Sequence, residues 1–302
     1  MARPINYLFC TYEIEIEDEV LSGEGEFSLI SENQGGEHRH GREKEGIQPQ
    51  TLCTDPKSQT VEDFRSHSFE IGYKPGVRVR QEYDGDRREV VKRFERDTHT
   101  KFGHVVTVPS LRAMAIRDRA SDDTIAALQT IGAMKSFIRG VSDGLGQINI
   151  SHASDEDVSH ALEHWDVHEY SYTIRPLNPT GGDLARRRSE MFERENVFQE
   201  SGRVIAPPGE SLRVADGVIG EANDLVASGY GQEGLKGKTE DGNSASIPKL
   251  SFSQDKNENL RWRESKPRFL RVSFERESIE DDKTLEVASS LVRFYRRDEP
   301  AS

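Results

Sequence analysis

One short motif contains residue types that could hold a metal ion and activate water. His160, Glu163 and His164 form an H-x-x-E-H sequence, and a helix places both imidazoles and the carboxylate on one face. Zinc hydrolases use this pattern, with the histidines as ligands and the glutamate as general base. The opposite face of the same helix is apolar and consists of Val158, Ala161, Leu162 and Trp165. We therefore expect the histidine face to be solvated, with a metal-dependent hydrolase as the alternative.

A second motif, Glu264-Ser265-Lys266, matches the E-x-K half of a nuclease signature. In that signature a carboxylate holds a metal ion and a lysine supports the attacking water. A chain this rich in Glu and Lys contains about one such triplet by chance, and no partner aspartate on a preceding strand stands out. Glu264 and Lys266 are thus the candidate catalytic residues of a nuclease alternative.

Two basic segments could bind nucleic acid. Residues 260–276 hold six Lys or Arg against two Asp or Glu, and residues 74–101 hold nine against six. A strand that exposes arginine and aromatic side chains can contact phosphates and stack on bases. Solvated charges on an edge strand are the alternative interpretation. The candidate nucleic-acid-binding residues are Arg78, Arg80, Arg261, Trp262, Arg263, Arg268 and Arg271.

The charge of the whole chain conceals these segments. Lys and Arg total 41 and Asp and Glu total 54, so the net charge is −13. Residues 1–30 and residues 152–170 each contribute −6 to that total. Because the acidic excess is concentrated in these segments, the net charge does not exclude a local nucleic-acid surface.

Composition excludes other classes. No run approaches the ~18 apolar residues of a membrane helix, and the first residues lack a signal-peptide pattern. Cys10 and Cys53 are the only cysteines, which is too few for a disulfide framework. Gly229–Gly234 fits G-x-G-x-x-G, but no strand precedes it and no helix follows, so we expect a glycine-rich turn or strand and no cofactor. These features predict a cytoplasmic protein without a membrane segment.

The patterning of apolar residues predicts the elements. Residues 8–16 alternate as a half-buried strand, and residues 77–95 form a hairpin around Asp84-Gly85. Ile125 to Ile138 recur at helical spacing, and Ser154-x-x-Asp157 resembles a capping box. A final helix begins near residue 280, with acids at its start and arginines at its end.

These elements predict an α+β fold with mixed or antiparallel sheets, a layered α/β middle and a packed C-terminal helix. Ser31–Thr60 contains few apolar residues and is predicted to be a disordered insertion near the N-terminus, because such a segment cannot offset its ordering entropy. We expect an N-terminal α/β domain over residues 1–180 and a C-terminal α+β domain over residues 181–302.

Two blocks of sequence resemble known proteins. The first, Leu111 to Pro179, runs strand, helix, short strand, short helix and strand, and it looks like the middle of Rex-type phage-exclusion proteins. The second contains Gly229-Tyr230-Gly231, Lys236-Gly237-Lys238 and Asp241-Gly242, and it is similar to a hairpin of bacterial proteins encoded near phage-defence loci. The resemblance implies DNA association and infection-linked signalling, and it implies no catalytic residue.

The sequence therefore predicts a non-enzymatic binding protein, associated with nucleic acid and belonging to a bacterial phage-defence or prophage system. A metal-dependent hydrolase or nuclease is one alternative. A protein-interaction adaptor, with a partner from the same locus, is the other.

Overall fold

The computed structural model describes residues 3–39, 47–84, 89–97, 99–118, 124–175, 183–197, 199–213, 217–228, 230–249, 252–253, 263–264, 268–276 and 283–296. The fold is α+β with a large antiparallel sheet, as predicted. Its elements, in chain order, are β1 Ile5–Ile16, β2 Glu19–Val20, α1 Gly23–Glu32, β3 His38–Arg39, β4 Gln50–Val61, β5 Phe64–Lys74, β6 Gly76–Asp84, β7 Glu89–Asp97, β8 Lys101–Val108, β9 Ala113–Arg117, α2 Ala127–Val141, β10 Gly146–Ser151, α3 Asp155–His164, β11 Asp166–Ile174, α4 Asp183–Glu195, β12 Glu200–Ile205, α5 Gly217–Ala227, β13 Gly231–Lys238, β14 Ser244–Ile247, β15 Phe252–Ser253, β16 Arg263–Glu264, β17 Leu270–Phe274 and α6 Thr284–Tyr295.

The chain divides into two compact units. The first contains Met1–Ser151 together with Arg276–Ser302, and the second contains His152–Glu275. This division differs from the boundary expected at residue 180. The first boundary lies before His152, because β11 pairs with β12 and β13. A second boundary lies before Arg276, because α6 packs on strands of the first unit. Among the helices of the described ranges, none is long and apolar enough to cross a membrane.

The sheet of the first unit has the strand order β10-β1-β9-β8-β5-β4-β3, and its strands pair antiparallel. Successive residues of a strand point to opposite faces. Phe69 and Ile71 of β5 line a cavity with Met134 and Phe137 of α2, so α2 covers one face. His104 of β8 meets Thr284 of α6, so α6 covers the other face.

The predicted alternation of the first strand is confirmed, and the strand extends over all of β1. Tyr12 and Ile14 are buried, whereas Glu13 and Glu15 are partly exposed. The predicted hairpin is also present as the antiparallel pair β6 and β7. Its expected turn, at residues 85–88, lies outside the described ranges.

The prediction of a disordered insertion at Ser31–Thr60 is wrong for its described residues. They form the end of α1, the short strand β3 and most of β4, while residues 40–46 lie outside the described ranges. Thr51 and Cys53 are both 0% exposed, and β4 pairs with β5 along its length. The segment folds with few apolar residues because only alternate positions of β4 pack inward. Backbone hydrogen bonds to β5 satisfy its polar backbone groups.

The second unit contains an antiparallel sheet of order β12-β11-β13-β14-β17 and a separate two-stranded pair, β15 with β16. The capping box predicted at Ser154 and Asp157 is confirmed: each side chain bonds the backbone N–H of the other residue at the start of α3. Val158, Ala161 and Leu162 form the buried face of that helix, as the apolar spacing predicts.

Candidate nucleic-acid interface

The two faces of the second unit's sheet differ in character. Directly paired residues of antiparallel strands point to the same face, so Tyr172, Gly202 and Glu233 share one face. On that face Arg188 of α4 binds Glu200 at 3.0 Å, and α5 packs on β11 and β13. The helices α4 and α5 therefore bury the face that carries Tyr172. The alternate residues of the strands lie on the opposite face of the sheet.

Glu169 of β11 lies on this other face, which we call the polar face. Arg203 of β12 donates to one carboxylate oxygen of Glu169 at 2.6 Å, and Lys236 of β13 donates to the other at 3.0 Å. The hydrogen bond from Arg203 lowers the pKa of Glu169; Lys236 acts in the same direction and burial opposes them. A single carboxylate thus holds two cations from neighbouring strands in fixed positions.

A second group of polar side chains extends the polar face. Lys249 Nζ donates to Thr173 Oγ1 at 2.7 Å, and Thr173 Oγ1 lies 3.0 Å from Ser201 Oγ. Gly234 makes this approach possible, because a Cβ at that position would lie 2.4 Å from the backbone nitrogen of Lys249. The glycine-rich segment expected as a turn or strand is thus a strand from Gly231 onward, with its Gly234 accommodating the chain that carries Lys249.

The pairing continues the polar face across the remaining strands. Ser246 of β14 pairs with Lys236 on one side and with Arg271 of β17 on the other. At about 4.8 Å per strand, the five strands span about 19 Å. No Phe, Tyr or Trp of the described residues in these strands points to this face.

The polar face carries an excess of positive charge. Its described residues include five cations and two carboxylates, which are Arg203, Lys236, Lys238, Lys249, Arg271, Asp166 and Glu169. The five cations are all exposed. In a chain whose net charge is −13, a local excess of this kind creates a surface that attracts anions.

The predicted nucleic-acid residues are distributed between this surface and the core. Arg271 lies exposed on the polar face. Arg268 is only 3% exposed, and its guanidinium donates to the Asp155 carboxylate and to the Glu233 carbonyl, each at 3.0 Å. The expectation that Arg268 contacts a ligand from an outer face therefore disagrees with its position, since this residue precedes β17 and turns inward to bind the start of α3.

The other predicted residues lie on strands of which only the backbone is described, or outside the described ranges. Arg78 and Arg80 lie on β6, and Arg263 and Glu264 on β16; only their backbones belong to the described structure. Arg261, Trp262 and Lys266 lie outside the described ranges. The E-x-K motif therefore stays a prediction.

The H-x-x-E-H motif lies on α3. The His160 and His164 rings have centroids 4.3 Å apart, and His164 Nδ1 lies 3.1 Å from a Glu240 carboxylate oxygen. Glu163 and His164 are exposed. Within the described ranges, no group of three or more His, Cys, Asp or Glu residues is arranged to hold a metal ion. The face is partly solvated, because Glu163 and His164 are exposed and His160 is half-buried.

Sequence reasoning missed Glu169, Arg203, Lys236 and Lys249. A weak signal was present, because residues 169, 171 and 173 of β11 and residues 201 and 203 of β12 are polar at every second position. That alternation marks a strand with one solvent-facing side. It does not reveal which strands become neighbours, and the charge cluster depends on that pairing.

No protein-family model matches this chain, and no curated protein matches it.

Proposed function

We propose that the protein binds single-stranded nucleic acid through the polar face of the second unit, as a binding protein and not as an enzyme. The observation that carries this proposal is the excess of exposed cations on that face, five against two carboxylates. Lys and Arg side chains neutralise phosphates and release condensed counterions. The serine and threonine hydroxyls between the cations add donors for phosphate and sugar oxygens.

The shape of the surface favours single strands over duplex. Reading a double helix requires a helix or a two-stranded ribbon that enters a groove, and the face of a five-stranded sheet is too broad to do so. Exposed sheet faces are a common platform for single-stranded RNA. Because the described strands place no aromatic side chain on the polar face, binding is expected to depend on the phosphate backbone, with little sequence preference.

The setting we propose is bacterial phage defence or a prophage, with a protein partner from the same locus. The resemblance of Leu111 to Pro179 to Rex-type proteins supports this setting. Inspection of neighbouring genes tests it, since a metabolic operon would contradict it.

Binding is tested by fluorescence anisotropy with labelled single-stranded RNA and DNA of mixed sequence. The variant Arg203→Glu with Lys236→Glu is expected to lose about tenfold or more in affinity. Arg186→Glu with Arg187→Glu is the matched control, because these exposed residues belong to α4, on the opposite side of the sheet. The control is expected to change affinity by less than about twofold.

The salt dependence provides an independent measurement. If about four phosphates are neutralised, the logarithm of the association constant falls with the logarithm of salt concentration with a slope of about −3. Absence of binding at low salt would contradict the proposal, as would equal losses in the two charge-reversed variants. In either case the cations of the polar face would not be assigned to nucleic-acid binding.

A further inference from the structure

One part of the polar face combines hydroxyl and cationic residues without a carboxylate. It consists of the paired polar-face positions of β13, β14 and β17, which we call the serine patch: Lys236, Lys238, Ser244, Ser246, Arg271 and Ser273. Directly paired residues share a face, so all six lie on the same side of the sheet. The two described carboxylates of the polar face, Asp166 and Glu169, both belong to the neighbouring strand β11. The serine patch is therefore a surface that attracts anions.

Two hydroxyls and one ammonium group of the serine patch have no partner in the described part of the chain. These groups belong to Ser244, Ser246 and Lys238, which make no hydrogen bond or ion pair there. Ser244 and Lys238 are exposed and Ser246 is half-buried, and the Ser246 hydroxyl is not enclosed. All three groups can therefore bind a ligand from solvent.

The cations of the serine patch determine where the phosphates of a bound strand lie. Lys236 of β13 and Arg271 of β17 are exposed, and they stand on either side of Ser246, each about 4.8 Å away across one strand. Lys and Arg side chains neutralise phosphates, so a nucleic-acid strand that crosses β13, β14 and β17 contacts one phosphate at each cation. The sugar that joins these two phosphates then lies over β14, where Ser246 has an accessible hydroxyl.

The hydrogen-bonding chemistry of a serine hydroxyl matches that of ribose. A hydroxyl both donates and accepts hydrogen bonds, whereas phosphate oxygens only accept them. The ribose 2′-hydroxyl also donates and accepts, and it is the group that distinguishes RNA from DNA. Deoxyribose has only a hydrogen at this position, so it leaves the serine hydroxyl that it covers without a partner, which is unfavourable.

We propose that Ser244 and Ser246 select RNA over DNA by hydrogen bonding to ribose 2′-hydroxyls, a role that rests on the proposed function and assigns the sugar of the strand that the polar face binds. Every nucleotide of RNA has this group, so the selection requires no contact with a base. It is therefore compatible with a face whose described strands place no aromatic side chain on it.

The test is fluorescence anisotropy of the whole protein with three labelled single strands of one mixed sequence. These are RNA, DNA that contains uracil in place of thymine, and 2′-fluoro RNA, which lacks the 2′-hydroxyl donor. RNA is expected to bind about fivefold more tightly than either of the other strands. If 2′-fluoro RNA binds as tightly as RNA, the hydroxyl is not the group recognised and the proposal is overturned.

The double variant Ser244→Ala with Ser246→Ala separates contact with the sugar from contact with phosphate. It is expected to lower affinity for RNA about fivefold and to change affinity for DNA by less than about twofold. Equal losses for RNA and DNA would show that the serines bind phosphate, and would overturn the proposal. Ser228→Ala is the control, because this exposed serine follows α5, which packs on the opposite side of the sheet. It is expected to leave both affinities unchanged.

Failure of this proposal is distinguishable from failure of the proposed function. Equal affinity of the unmodified protein for RNA and DNA would overturn selection by the serine patch and leave nucleic-acid binding by the polar face in place. Absence of binding to either strand would overturn both. The comparison of strands needs no variant, so it holds even if the double serine variant fails to fold. Arg203→Glu with Lys236→Glu is expected to weaken RNA and DNA binding alike, whereas the serine variant affects RNA alone.

Discussion

The Tyr170 hydroxyl donates a hydrogen bond to the Glu233 carboxylate at 2.5 Å, between the neighbouring strands β11 and β13. The first unit contains a similar pair, in which the Tyr12 hydroxyl donates to Glu26 at 2.6 Å. Burial raises the pKa of each carboxyl group to about 7, although the tyrosine hydrogen bond acts in the opposite direction. Each unit therefore has in its core a carboxyl group that titrates near neutral pH.

Stability is predicted to fall as pH rises from about 4.5 to about 7. In this range the unfolded chain releases these protons first, because its carboxyl groups keep their ordinary pKa, and the folded state retains them. The loss is about 3 kcal/mol for each group over the window, with no further change above it. Urea denaturation across this range measures the effect. A double variant, Glu26→Gln with Glu233→Gln, should remove most of the dependence, and an equal dependence in the two proteins would contradict the prediction.

Tyr12→Phe is predicted to destabilise the first unit by about 1–3 kcal/mol. The substitution keeps the ring and removes the donor, so the buried Glu26 carboxyl group loses its partner. Urea denaturation at neutral pH measures the loss. A double-mutant cycle with Glu26→Met, which removes the acceptor, isolates the pairwise contribution; if the two substitutions are additive, the hydrogen bond contributes nothing and the prediction fails.

Glu169→Gln is predicted to increase affinity for single-stranded nucleic acid by about threefold. The carboxylate now occupies the donors of Arg203 and Lys236, and neutralising it releases both for phosphate while removing a repulsive charge. Glu240→Gln is the matched control, because Glu240 lies beside His164 of α3 and its loss changes net charge equally. Fluorescence anisotropy distinguishes the two, and a lower affinity in Glu169→Gln would show that the carboxylate positions the cations for binding.

Arg268 and Arg271 are predicted to have opposite roles. Arg268→Met removes a buried guanidinium from Asp155 and the Glu233 carbonyl, and it is expected to cost about 3 kcal/mol of stability while leaving nucleic-acid affinity of the folded protein unchanged. Arg271→Met changes an exposed side chain and is expected to lower affinity about threefold, with a stability change below about 0.5 kcal/mol. Denaturation and anisotropy on both variants test the assignment, which fails if Arg268→Met weakens binding more than Arg271→Met does.

Local patterns predicted much of the secondary structure. The alternation in β1, the capping box at Ser154 and the packed helix α6 each depend on residues a few positions apart, and each is present. Leu285 of the packed helix α6 is nevertheless 57% exposed.

Features that depend on long-range pairing could not be predicted. β4 has few apolar residues, and it is ordered because β5 supplies its backbone partners. In the first unit, Tyr7, Glu70, His104 and Arg117 share one face of the sheet through the registers of adjacent strands. A shift of one residue in any of these registers would turn a side chain to the opposite face, so no local pattern contains this information.

The division of the first unit has a consequence for synthesis on the ribosome. Its strands and α2 are translated before residue 152, and α6 follows only after the whole second unit, whose last residue is Glu275. At ordinary elongation rates, that interval lasts on the order of ten seconds. During this time the strands that carry His104 and Arg117 have been synthesised, whereas the helix that covers their face has not. The first unit therefore cannot acquire the contact between Thr284 and His104 until the whole second unit has been synthesised.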